Sequence, residues 1–374
     1  MTSLPPPLTP RALRMLLLLG ALYAVVVIPI GAHKGNSLEG HLQRANNLLD
    51  GERVYDMLPI FGTWWPPGTL ALISPYALVA RSSEWLAKAL FAFTGVLCLV
   101  WALARAPAGR WAVTALALAA VAKPLQTDFE TLNLNVMLLA LVIATWRDLE
   151  QGRETRAGVW LGLATALKVF PALLIAYAVY RRHWRAAAWG SGIALAVTLL
   201  PLAPRGWAGA RETLTDWATI TRNGTAGLRG HSQSLQALVE RSGAPSAAGT
   251  AASLMLIAGA AWWLRRRRPL FTELALVTHV AVLATPIVWA QNFLLLFPSW
   301  VVILAAPPPV LPERWRRAVL IPIGVATSGI IAAWSQPVRR AVYEAAVHTW
   351  GALAALVVLA LTPPLGERPR APID

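Results

Sequence analysis

Residues 157–180 read AGVWLGLATALKVFPALLIAYAVY and are followed by Arg181, Arg182, His183, Trp184 and Arg185. As a helix rising about 1.5 Å per residue, this run is long enough to cross the roughly 30 Å hydrocarbon core of a bilayer. It carries one charge, Lys168, and closes on a basic cluster with an indole, the pattern of a segment end held at headgroup level. The pattern repeats. Further apolar runs fall at about 14–32, 66–80, 85–104, 111–123, 132–147, 186–203, 248–264, 271–287, 288–306, 316–334 and 341–361, with basic clusters at 265–268 and 313–317. A soluble core buries one or two such runs, whereas a bilayer accepts all of them, because a helix satisfies its own backbone hydrogen bonds. The predicted fold class is therefore all-α, a polytopic transmembrane helical bundle of about twelve helices, within a range of about ten to thirteen. Residues 1–374 read as one integral membrane domain.

Composition agrees. The chain is 56% hydrophobic and 14% charged, against about 25% charged in soluble domains, and its mean hydropathy is +0.53. Thirty-three basic against 18 acidic residues give +15. In a soluble chain that excess points to nucleic acid. Here it sits at the ends of apolar runs, where anionic headgroups and the positive-inside rule place it, so the expected partner is membrane and not nucleic acid. The 18 Trp fit the same level. The single cysteine, Cys98, excludes an intramolecular disulfide and a Cys-based metal site. No P-loop, GxGxxG, HExxH or Cys/His cluster is present, so no cofactor and no metal are expected.

The first run follows Arg11 and Arg14 without a small-residue cleavage site and reads as an uncleaved first helix. Twelve crossings place both termini in the cytoplasm of a plasma (inner) membrane protein. That topology leaves Arg105, Arg110, Arg147, Arg153 and Arg156 outside or split, and one re-entrant segment would flip the stretch. The short runs 66–80 and 111–123 are expected to line a cavity. Two polar loops, 33–65 and 204–247, are expected on the outer face, capping a groove. The first holds Glu39, His41, Arg44, Asp50 and Asp56; the second holds Arg222, Asn223 and 231–235.

Several short motifs occur in a distinctive order. They are Ser37-Leu38-Glu39 leading to Leu48-Leu49-Asp50-Gly51 and Tyr55-Asp56; Trp65-Pro66-Pro67; Leu132-Asn133-Leu134-Asn135; Lys168 to Pro171 with Arg181 to Ala186; Ser232-Gln233-Ser234-Leu235; and Thr285-Pro286 leading to Trp289 and Gln291-Asn292. This order resembles glycosyltransferase family 87, polyprenol-phosphate-dependent mannosyltransferases of the GT-C membrane fold, over roughly residues 15–300. The chain departs from the family pattern in three places. Ser37 stands where the family has an aspartate, the Gly and Gln of a GQxN segment are absent, and so are both histidines of the late segment.

The resemblance implies transfer of a sugar, mannose in the family, from a polyprenyl-phosphate-linked donor to a lipid or glycan acceptor. A carboxylate in the first outer loop takes the acceptor proton, and basic residues offset charge on the departing phosphate. Glu39 is the candidate base, the alternative being a solvated loop residue. Lys168, Arg44 and Lys123 are candidate donor-phosphate ligands. An intramembrane lysine is costly and marks function by default, although snorkelling to headgroups is the competing explanation for Lys168 and Lys123. Ser37, His41 and Arg44 share a face if the loop is helical. Ser37, His41, Asn133, Asn135, His231, Gln233, Trp289 and Gln291 are candidate sugar or acceptor contacts. For the two asparagines interhelical hydrogen bonding is the alternative, and for Trp289 interfacial packing. Two other functions remain open: a non-catalytic relative that binds lipid-linked glycan, and a lipid or glycan transporter or flippase.

Overall fold

The computed structural model describes residues 10–55, 65–107, 111–228, 232–307 and 311–361, with the backbone alone for 223–228. Asp56, His231, both termini and the basic tail at 367–370 lie outside the described residues. Among the described residues every regular element is a helix. In chain order these are α1 (Pro10–Lys34), α2 (Asn36–Leu49), α3 (Pro67–Ala80), α4 (Glu84–Arg105), α5 (Trp111–Ala119), α6 (Ala122–Thr131), α7 (Asn135–Glu150), α8 (Glu154–Leu167), α9 (Ala172–Tyr180), α10 (Trp184–Leu199), α11 (Gly206–Leu228), α12 (Leu235–Arg241), α13 (Ser246–Trp263), α14 (Leu270–Ala284), α15 (Phe297–Ala305), α16 (Glu313–Ser328), α17 (Gln336–Glu344) and α18 (Val347–Leu361). By length and composition α1, α4, α13 and the continuous path Trp184–Arg222 are able to cross a membrane. Two bent pairs, α6–α7 at 120° and α17–α18 at 52°, raise the number to six if each counts as one span. The chain is a helical membrane bundle. Where the sequence predicts about twelve continuous runs, several are broken or too short to cross alone.

The chain divides into two compact units, with the division falling inside α6 between Leu125 and Gln126. Among the described residues, those within 8–105 and 126–229 form the first unit and those within 106–125 and 230–374 the second.

In the first unit α1 is apolar all round and leaves Leu18, Leu22 and Val25 exposed, as a lipid-facing helix does. The outer loop expected at 33–65 begins with α2, an amphipathic helix. Leu38, His41, Leu42, Ala45 and Leu48 are buried at helical spacing, while Glu39 and Gln43 are exposed. Arg53 then forms a two-pronged ion pair with the buried Asp216 of α11, at 2.9 and 3.2 Å, joining the two expected outer loops.

The founding stretch 157–180 is not one span. Pro171 lacks an N–H and its ring crowds the carbonyl four residues back, so α8 stops at Leu167 and Lys168 adopts an extended conformation. α9 then runs back. Three contacts show this. His183 Nδ1 lies 3.0 Å from Glu154 Oε1, which brings the end of the segment to its beginning. Gly158 faces Ala186 and Trp189, and Gly162 faces Gly190 and Ile193, so α8 and α10 run parallel from the same end. Small residues permit that close approach, which drives helix association where no water is expelled. Residues 154–180 are thus a helical hairpin, with an α8 arm about 21 Å long and Lys168 at its tip.

The hairpin brings basic residues that lie far apart in sequence to one end of the unit. Arg153 and Arg156 at the start of α8 lie at the same end of the unit as Arg182 and Arg185. α4 runs from Lys88, paired with Glu39 of α2, to Arg105, which feels the charge of Arg147 on α7. One end of the unit is therefore basic, and α2 lies at the other.

In the second unit α14 is buried along almost its whole length and packs with α15 and α18 around Phe293, Phe297 and Trp300. His279 of α14 is held by Ser299 Oγ at 3.0 Å and by the Ala352 carbonyl at 2.9 Å.

Candidate site at two broken helices

The turn between α6 and α7 is set by Leu132 in the left-handed region, φ +52°. The Asn133 N–H donates back to the Asp128 carbonyl at 2.9 Å, the bond of a Schellman turn. A leucine is strained there, by about 1 kcal/mol. Its side chain is fully buried against Gly31 and Gly35, at the junction of α1 and α2. A Cβ on Gly31 would sit 2.7 Å from Leu132 Cδ2 and 2.9 Å from the Phe129 carbonyl. The end of α1 and the start of α2 therefore rest directly on this turn.

The buried Asp128 carboxylate organises the start of α7. Oδ1 accepts from the Asn135 N–H at 3.2 Å and from Asn135 Nδ2 at 2.7 Å, and Oδ2 accepts from the Val136 N–H at 3.1 Å. A carboxylate at a helix N-terminus satisfies donors that have no intrahelical partner and suits the positive end of the dipole. Lys168 meets this turn from the hairpin tip. Its Nζ donates to Asn133 Oδ1 and to Asn135 Oδ1, each at 2.9 Å. Lys168 therefore reaches across to a second broken helix, with two amide oxygens and a nearby carboxylate around its ammonium. Irregular backbone at membrane depth is tolerated where protein or a cavity surrounds it, and these two breaks surround each other.

α3 completes the tip. Thr69 Oγ1 lies 3.0 and 2.7 Å from the carbonyls of Ala166 and Leu167, two of the unsatisfied acceptors at the end of α8. One turn earlier, Trp65 stacks on His41 with ring centroids 3.6 Å apart and planes 5° from parallel. The Tyr55 hydroxyl donates to the Trp65 carbonyl at 2.8 Å. Burial pushes the Tyr55 phenol well above its ordinary range, against the pull of Arg44, so it remains a donor.

Glu39, in the first turn of α2, pairs with Lys88 of α4 at 3.1 Å, and Lys88 also pairs with Glu84. Lys88 is buried while Glu39 stays more than half exposed, so the carboxylate is oriented from below and open above. His41 and Arg44 are buried on α2, and Ser37 is half-buried at its start. Arg44 Nη1 donates to the Gly40 carbonyl at 2.9 Å. The helical loop expected from their spacing is present, with these side chains turned largely toward protein.

The other candidates lie elsewhere. Lys123, at the start of α6, belongs to the second unit. Gln233 is buried there and donates through Nε2 to the Tyr343 carbonyl at 2.9 Å. Its neighbours join two motifs separated in sequence: the Gln233 N–H donates to the Val288 carbonyl, the Val288 N–H to Ser232 Oγ, and Ser234 Oγ to the Pro286 carbonyl. Trp289 and Gln291 follow directly, both half-buried. His231 lies outside the described residues.

Two residues escaped the sequence reading. Asp128 lies in the gap between the expected spans 111–123 and 132–147, where no role is expected of it. In sequence it stands among polar neighbours, Gln126, Thr127 and Glu130, seven positions before Asn135, and nothing there singles it out. Lys88 lies within the expected span 85–104, four residues beyond Glu84 on one helix face, and the sequence analysis assigns it no role.

Apolar helices, a half-buried lysine at the meeting of two helix breaks and an amphipathic helix above them define a membrane protein with a polar site at one end of its first unit. The family comparison then gives the class. The model of glycosyltransferase family 87 matches residues 64–288, more than half of the chain, and the chain belongs to that family. It is a membrane glycosyltransferase. The match includes Asp128, Asn133, Asn135 and Lys168, and begins beyond α2. No curated protein and no solved structure matches the chain.

Proposed function

We propose that the protein transfers a sugar, mannose by the resemblance noted above, from a polyprenyl-phosphate donor to a lipid or glycan acceptor. The observation that carries this is Lys168, a cation held at the tip of a helical hairpin inside the family match. A cation in such a place offsets charge on a departing phosphate, which is the demand of this chemistry. The donor arrives by lipid, so no nucleotide-binding domain is required. A cleft of about 710 Å³ along α10 and α11 is lined by Leu199, Leu202, Trp207 and Leu214, with Arg211 and Arg222 among its polar lining. Its chemistry suits an isoprenoid chain ending in a phosphate.

Glu39 serves as base. It takes the acceptor hydroxyl proton as the oxygen attacks the anomeric carbon. The bond from that carbon to the phosphate oxygen breaks, the polyprenyl phosphate leaves, and the anomeric configuration inverts. Lys88 positions the carboxylate from below. His41, fixed against Trp65, and Asn133 and Asn135 remain candidates for sugar or acceptor contacts. By the positive-inside rule the basic end of the first unit is cytoplasmic and α2 is extracytoplasmic, in the inner membrane.

The Lys88 ion pair also favours a second reading, a non-catalytic relative that binds lipid-linked glycan with Glu39 engaged permanently. A transfer assay separates the two. Purified protein in nanodiscs is given polyprenyl-phosphate-mannose or a nucleotide-linked mannose, with membrane-lipid extract as acceptor. Transfer from the lipid-linked donor alone is expected. Transfer from the nucleotide sugar, or from no lipid-linked sugar tested, would sink the proposal.

A further inference from the structure

The two turns that bring the hairpin back to the basic end have the same construction. In one, Gly152 is left-handed at φ +70° and the Arg153 N–H donates to the Asp148 carbonyl at 2.7 Å. In the other, Arg182 is left-handed at φ +62° and the His183 N–H donates to the Ala178 carbonyl at 2.8 Å. Both are Schellman turns, and both launch a helix directly afterwards, α8 and α10. They stand side by side, locked by the His183–Glu154 bond, and enclose a cleft of about 590 Å³.

Four arginines line it: Arg153, Arg156, Arg182 and Arg185. The two acidic groups at the cleft are already engaged. Asp148 lies beneath, accepting from Arg153 at 2.8 Å, from Trp160 Nε1 at 2.7 Å and facing Arg156 at 3.5 Å. Glu154 is bonded to His183. The guanidinium groups of Arg182 and Arg185 have no hydrogen bond or ion pair among the described residues, and both are exposed. Trp184, 59% exposed, forms part of the wall, and Tyr180 and Trp189 are exposed on the flanking helices. Planar, fixed forks suit phosphate oxygens, and exposed indoles and phenols suit headgroup depth.

We infer that this cleft binds the phosphate of an anionic phospholipid headgroup from the membrane leaflet at the basic end. The lipid acts as a clamp across the two ends of the helical hairpin, remote from the tip that carries Lys168. The site is separate from sugar transfer, and its test does not depend on activity.

Purified protein in nanodiscs of phosphatidylcholine is titrated with phosphatidylglycerol while its unfolding temperature is followed. Native mass spectrometry counts retained lipid. The wild type is expected to gain stability with phosphatidylglycerol and to retain at least one such lipid. R182Q/R185Q is expected to bind it roughly 30-fold more weakly, at about one factor of five per basic residue. A control, R314Q/R317Q, removes the same charge from exposed positions of α16 and is expected to behave as wild type. Equal effects of the two double variants, or equal stabilisation by added phosphatidylcholine, would overturn the inference. So would an equal shift produced by inorganic phosphate or glycerol phosphate alone, which would assign the cleft to a soluble ligand.

Discussion

The Nζ of Lys168 donates to the Oδ1 of Asn135 at 2.9 Å, tying the tip of one broken helix to the start of another. Asn135 in turn donates through Nδ2 to the buried Asp128 at 2.7 Å. One amide therefore bridges a half-buried cation and a buried carboxylate.

Asn135→Leu removes both halves of that bridge at once. Leaving buried polar partners unsatisfied costs about 2 to 3 kcal/mol. The variant is expected to unfold at a clearly lower temperature in detergent, as read by intrinsic Trp fluorescence. An unchanged transition would show that the bridge contributes nothing to the fold.

The hairpin at 154–180 implies a topology that differs from a simple crossing. In a Cys98→Ser background, cysteines at Thr155 and Arg185 are expected to label from the same side of the membrane with an impermeant maleimide. A cysteine at Gln43, exposed on α2, is expected to label from the other. Opposite labelling of positions 155 and 185 would restore a single span through 157–180.

Gly31 carries the contact between α1 and the α6–α7 turn. Gly31→Ala places a methyl against Leu132 and against the Phe129 carbonyl, and overpacking of this kind costs about 1 to 3 kcal/mol. Adding Leu132→Ala relieves only the side-chain clash. The double variant is therefore expected to recover part of the loss, and full recovery would show that the backbone clash is absent.

The membrane class was legible from apolar runs alone, because no other solvent accepts so many. Lys168, Asn133 and Asn135 were legible as polar groups in apolar surroundings. Their meeting was not, since it depends on two helix breaks whose geometry only the folded chain reveals. The run 157–180 reads as a single crossing, and although Pro171 opposes a regular helix there, the sequence does not distinguish a kinked span from a hairpin that returns. That distinction rests on Gly158, Gly162 and Gly190, whose missing side chains let α8 and α10 run side by side. Asp128 is illegible for a related reason: a polar residue between two expected spans carries no cost of burial until the fold buries it.

Glu39 and Glu84 share Lys88, and only one of them is proposed to act on substrate. Glu39→Gln is expected to reduce turnover about 10²- to 10⁴-fold, the usual contribution of a general base, with donor binding retained. Glu84→Gln is expected to leave turnover within a few-fold of wild type. Equal losses in both would make the ion-pair cluster structural and remove Glu39 as base.

The most direct measurement is binding of polyprenyl phosphate to wild type and Lys168→Met in nanodiscs, alongside transfer from polyprenyl-phosphate-mannose. Methionine keeps the length of the side chain and removes its charge. Donor affinity is expected to fall at least about tenfold, the scale of one charge-assisted bond to phosphate, with transfer falling further while helical content is unchanged. Wild-type affinity and wild-type transfer in Lys168→Met would contradict a phosphate-binding role for the hairpin tip and leave the site without its cation.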